Sequence, residues 1–156
     1  MTRAVSPVIG TTLLVLITLL LAATVTATVG VGAIPDVRPE YVSIDARASP
    51  DGTVTLTHES GTAIDVREIT VRVSVNGKRL EQQPPVPFFS STGFEPGPTG
   101  PFNSAADPQW SVGERVSFTI RETNAPGVEP GDEITVTMYE GRTTLAVART
   151  TVSGPG

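Results

Sequence analysis

Few residues in this chain can do covalent chemistry. Cysteine is absent, and there is one histidine, His58, and one lysine, Lys78. A thiolate nucleophile, a disulfide framework, a histidine-pair metal motif and a Walker lysine loop are therefore excluded. His58 stands in His58-Glu59-Ser60-Gly61, where a base, an acid and a hydroxyl follow one another. A serine two residues from a histidine along a strand does not make triad geometry, and no orienting acid is defined. His58 instead continues the inward face of Val54 and Leu56, which predicts a half-buried imidazole bonded to backbone. Nothing sets the separation of Glu122 and Glu133, as a carboxylate hydrolase would require. Asp51, Asp132 and Glu133 lack calcium-loop spacing and read as turn carboxylates. No catalytic residue, metal ligand or cofactor is assigned, and the chain is not read as an enzyme. Asn76, Asn103 and Asn124 all lack a Ser or Thr two residues on, so no N-glycosylation acceptor is present.

Chemistry being absent, the elements carry the function. Eleven basic residues face sixteen acidic ones for a net charge of −5, which disfavours a nucleic-acid partner. The charge is unevenly placed: between Arg3 and Asp36, 32 consecutive residues carry none. Within that stretch Val8 to Ile34 is apolar enough for a membrane-spanning helix, and about 20 residues suffice to cross a hydrocarbon core of about 30 Å. Its threonines are tolerable because a Thr hydroxyl bonds the carbonyl one turn back. Gly30 and Gly32 loosen its outer end and Pro35 stops it. A secretory signal has an apolar region of about 7 to 15 residues, so this run is too long for one. A plain membrane anchor fits the length but leaves the first ten residues unexplained.

Those residues place Arg3 and Ala4 directly before the apolar run, with Pro7 and Gly10 in its first turn. The stretch Arg3-Ala4-Val5-Ser6-Pro7-Val8-Ile9-Gly10 closely resembles the leader and helix start of archaeal type IV pilins, especially those of halophilic archaea. The resemblance implies a prepilin peptidase cut between Ala4 and Val5, with Arg3, Ala4 and Val5 as the processing residues and Ser6, Pro7, Val8, Ile9 and Gly10 as the helix-start motif. Removing Arg3 takes away the charge that holds the N-terminus in the cytoplasm. The position where bacterial type IV pilins carry a glutamate is Ile9 here, so helix packing is expected to be apolar, eased by Gly10, Ala22, Ala23, Ala27 and Gly30. The implied partners are the membrane, other pilin subunits, the peptidase, an assembly ATPase and a polytopic membrane platform. The implied locations are a single-pass membrane state with a cytoplasmic N-terminus, then an extracellular surface filament for display or adhesion. The alternative is a permanently anchored extracytoplasmic binding module.

Beyond the helix the apolar period becomes two. Ile69, Val71, Val73 and Val75 alternate with Thr70, Arg72 and Ser74, and Asn76-Gly77 follows as a strong hairpin signal. Further inward faces are predicted at Tyr41, Ile44 and Ala46; at Val116, Phe118 and Ile120; at Ile134, Val136 and Met138; and at Leu145 and Val147. Short strands with Gly, Pro and Asp turns predict an antiparallel sandwich of Ig-like architecture without its disulfide. The expected organisation is a leader peptide over 1–4, a hydrophobic transmembrane and assembly helix over 5–34, and an extracellular β-sandwich over 36–156. Within the sandwich, 81–109 holds seven of the fourteen prolines and is expected to be irregular, with its phenylalanines lying over the sheets or exposed as a contact surface.

Overall fold

The computed structural model describes residues 6–29 and 41–154, and the chain divides into two units, 1–38 and 39–156. In the first unit one helix, α1 (Ser6–Val29), runs for 24 residues, about 36 Å at 1.5 Å per residue. Pro7 stands in its first turn, where a missing N–H has no intrahelical partner to lose. Residues 1–5 and 30–40, which include the outer ends of the predicted helix with Gly30, Gly32 and Pro35, lie outside the described residues.

The second unit is built from strands. β1 (Ser43–Ala48), β2 (Thr53–Ser60) and β7 (Arg115–Thr119) form a three-stranded antiparallel sheet in the order β1-β2-β7. β4 (Ile69–Val75), β5 (Lys78–Arg79), β8 (Glu133–Glu140) and β9 (Thr143–Thr151) form a four-stranded one in the order β5-β4-β8-β9. A short ladder joins β3 (Ile64–Asp65) to β6 (Gln109–Trp110). The chain leaves the first sheet for β4 and β5, returns to place β7 beside β2, and ends in the second sheet. That is the crossing order of an Ig-type sandwich. All three ladders of the four-stranded sheet are antiparallel, and at one corner Ala48 and Val152 form a parallel bridge between β1 and the end of β9.

Period-two patterning decides the interior. Val54, Leu56, Val71, Val73, Val116, Phe118, Ile134, Val136 and Met138 are buried from both sheets. Asn76 and Gly77 take φ of 50° and 78°, turning β4 into β5 as the Asn-Gly pair predicts.

Two predicted faces are corrected. Tyr41 is 80% exposed and Val42 is buried instead. On β9 the inward residues are Ala146 and Ala148, while Val147 is exposed and Leu145 packs only at the margin of the core. A register shift between Met138 and Tyr139 accompanies this alternation. Ala46 and Ala48 are buried on β1 as well, so alanines from both strands lie inward where the sheets join, and larger side chains there would hold the sheets apart.

The proline-rich stretch is irregular but built into the fold. Phe88, Phe94 and Phe102 are buried and only Phe89 is exposed, so three of its four aromatics belong to the core and not to a contact surface. Their rings form a chain: Phe88 tilts on Phe94, Phe94 meets Phe118 edge-on at 5.9 Å, Phe102 stacks on Phe118, and Phe102 meets Trp110 edge-on at 5.4 Å. Backbone bonds from Glu95 to Thr119 and from Thr99 to Ser117, both 2.9 Å, lay 94–99 antiparallel along β7 and cover its edge.

Candidate functional site

α1 is apolar on every side. The exposures of Val8, Ile9, Leu13, Leu14, Leu16, Leu19, Leu20 and Leu21 all exceed one half, and no residue of the window Ser6–Ala23 is buried. A surface helix of a soluble domain has one polar face and one covered face; α1 has neither. Its length and composition suffice to cross a membrane.

Three of its hydroxyls bond the helix's own backbone. Thr11 Oγ1 donates to the carbonyls of Pro7 and Val8, both at 3.0 Å, Thr12 Oγ1 to Val8, and Thr18 Oγ1 to Leu14 at 3.0 Å and Val15 at 2.8 Å. A threonine bonded in this way presents its methyl outward, so these positions behave as apolar ones in hydrocarbon.

Ser6, Pro7, Val8, Ile9 and Gly10 all fall in the first turns of α1, while Arg3, Ala4 and Val5 lie outside the described residues. A methyl group placed on Gly10 would meet nothing within 4 Å. Glycine inside a helix costs about 0.5–1 kcal/mol relative to alanine, and among the described residues no contact requires it.

Residues 3–40 match the family of archaeal type IV pilin N-terminal segments. Over those residues the chain is similar to the N-terminal segments of archaeal type IV pilins. Residues 41–156 lie beyond the matched pilin segment, and among curated proteins none matches the chain.

The sequence-level candidates in the body have structural duties. His58 is fully buried, not half-buried; Nδ1 lies 3.1 Å from the Trp110 carbonyl and Nε2 3.1 Å from the Ser60 carbonyl. It faces the backbone of Ser60, and both ring nitrogens are engaged, so no base is presented to a hydroxyl. Its ring also tilts on Trp110 at 5.6 Å. Asp51 accepts from the backbone and hydroxyl of Thr53. Asp132 accepts from the Asn76 amide at 2.8 Å and from the Glu129 backbone at 2.8 Å, and these bonds, the Asn76 one first, hold its carboxyl below the usual range. The Asn76 side-chain oxygen in turn accepts from the backbone of Glu133, so two turns are clasped together. Among the described residues no group of three His, Asp or Glu side chains is placed to hold a metal ion.

Two amides that sequence reasoning passed over order the proline-rich stretch. Gln83 reaches the exposed flank of β4, accepting from Val73 N at 2.6 Å and donating to Val73 O at 3.0 Å and Leu80 O at 2.9 Å. Asn124, almost fully buried, bonds the backbone of Gln82 in both directions and donates to Gly93 O. Side-chain amides that imitate strand partners leave no periodic signal.

Proposed function

We propose that the chain is the structural subunit of a type IV pilus-like surface filament. It enters the membrane with residues 1–4 on the cytoplasmic side, is cut between Ala4 and Val5 by a prepilin peptidase, and is then withdrawn so that α1 packs among the α1 helices of neighbouring subunits. The single observation that carries this reading is that α1, within a segment matching the pilin family, is apolar on every face. The uncovered Gly10 supports it further, since a small residue with open space around it suits close approach by another helix.

Lipid tails are as apolar as leucine, so moving α1 from lipid into a helix core releases little hydrophobic free energy. The work of extraction must come from outside the subunit, which assigns it to an assembly ATPase acting through a membrane platform. Loss of Arg3 leaves the mature chain at −6, with ten basic residues against sixteen acidic ones, and leaves no charged side chain before Asp36. The sandwich is carried on the filament surface, for display or adhesion.

Mass spectrometry of the N-terminus, in native membranes and in sheared surface material, tests the reading. The expected result is a chain beginning at Val5 in the sheared fraction. A chain that retains Met1 to Ala4 and occurs only in membranes overturns it in favour of a permanently anchored binding module.

A further inference from the structure

Ten of the eleven basic residues are arginine, and the body uses them in two ways. Arg47, Arg67 and Arg121 each pair with a carboxylate, on Asp45, Asp65 and Glu95. Among the described residues Arg72, Arg79, Arg115, Arg142 and Arg149 have no ion pair, and three of these, Arg72, Arg79 and Arg149, project from the outer face of the four-stranded sheet. The register explains the grouping: Arg79 lies opposite Ser74, Arg72 is two residues before Ser74 on the same face, and Arg149 lies opposite Thr135. Arg72 and Arg79 are thus diagonal neighbours, on the order of 7–8 Å apart at Cα, and like charges so placed repel.

Between them the surface is concave. A groove of about 430 Å³ opens there, lined by Thr70, Arg72, Val73, Ser74, Arg79, Tyr139 and Gly141. No carboxylate lines it, in a chain with a five-charge acidic excess.

We propose that this groove binds an anionic sugar chain, with Arg72 and Arg79 taking a carboxylate or sulfate of one residue. Guanidinium forks match such oxygens in pairs. Thr70 and Ser74 offer hydroxyls to a sugar's own hydroxyls, and the half-buried Tyr139 ring offers an apolar flank. The volume suits one or two sugar units and is small for a protein partner, which needs roughly 800 Å² per side. The assignment holds whether or not the chain polymerises, because it uses no residue of α1.

The test is retention of the full-length chain, in detergent micelles, on immobilised polygalacturonate, heparin and neutral dextran. Polygalacturonate and heparin separate carboxylate from sulfate preference. The expected result is salt-sensitive retention on at least one of the two and none on dextran, with at least a tenfold loss in an Arg72→Gln, Arg79→Gln double variant that melts like the parent. Arg47→Gln, on the other sheet, is expected to bind unchanged. Equal retention on dextran, no retention on either acidic polymer, or an unchanged double variant overturns the proposal. So does a double variant that loses self-association but keeps polysaccharide binding, which would assign the face to a second copy of the chain.

Discussion

α1 and the sandwich are built from the same aliphatic residues, and they bury them in opposite ways. In β4 valines at every second position meet β-sheet neighbours and fall to a few percent exposure or less. In α1 leucines follow one another without alternation, and each stays about half exposed or more. The difference is one of spacing, since period two selects a face that one chain can cover by folding on itself, whereas an apolar run with no polar face has no inside. The body's hydrophobic surface is satisfied by its own chain; among the described residues the helix's is not.

That contrast predicts that damage to either region stays there. The largest effect belongs to the body. Trp110 is fully buried, meets Phe102 edge-on, and donates its indole N–H to the Glu114 carbonyl at 3.0 Å. Trp110→Ala leaves a cavity and removes one of the two hydrogen bonds that the Glu114 carbonyl accepts, the other coming from the His58 backbone N–H, for a loss of about 3–5 kcal/mol. The thermal midpoint of the sandwich in detergent micelles is expected to fall by at least about 10 °C, with the protein still in the membrane fraction. A midpoint within a degree or two of the parent would show that the aromatic chain does not hold the proline-rich stretch in place.

The reverse experiment breaks the helix. Leu16 is near the middle of α1 and exposed, and an aspartate there is opposed by about 3 kcal/mol of insertion free energy. Leu16→Asp is expected to leave the membrane and sheared fractions while the sandwich melts as before; Leu16→Phe retains both. If Leu16→Asp lowers the melting midpoint as Trp110→Ala does, the two regions share a core and the contrast is wrong.

The two regions also differ in how far sequence alone reveals them. The strands of β2, β4, β7 and β8 are legible because one face of each is buried and the period records it. The hairpin at Asn76-Gly77 is legible because a positive φ at both positions restricts the residue types. The apolar character of α1 needs only composition. What escaped is whatever has no period. Tyr41 and Val42, and Val147 and Ala148, are adjacent apolar residues, so pattern cannot say which turns inward when a register shift or a crowded corner decides it. The aromatics of 81–109 are dispersed among prolines, and only the ring contacts across to Phe118 and Trp110 reveal them as core. Gln83 and Asn124 look like ordinary loop amides until the backbone groups they serve are placed beside them. The pairing of Arg72 with Arg79 depends on the fold-back at Asn76-Gly77, and Arg149 joins the same face only through the register of β8 with β9.

The smallest effect separates the two regions by pH. Between residues 6 and 29 α1 has no ionisable side chain, so its helical signal is expected to be flat from pH 6 to pH 2. The body titrates. Asp65 accepts from Arg67 three times, through Nε at 2.9 Å, Nη2 at 2.6 Å and the backbone N–H at 3.0 Å. These bonds, the side-chain ones first, lower its carboxyl to about 2 against partial desolvation. A carboxyl that binds its proton less readily folded than unfolded stabilises the fold above its unfolded value, about 3.9. That contribution fades as pH falls from about 4 toward 2. The Arg67 side chain is largely exposed, so solvent screening keeps the gain small. Asp65→Asn is therefore expected to lower the midpoint slightly at pH 6 and to flatten its decline between pH 4 and pH 2, measured by denaturation of parent and variant in the same micelles. Parallel declines in the two proteins would assign the acid sensitivity elsewhere in the body, with the clasp of Asp132 by Asn76 and Glu129 as the next carboxylate to test by the same substitution.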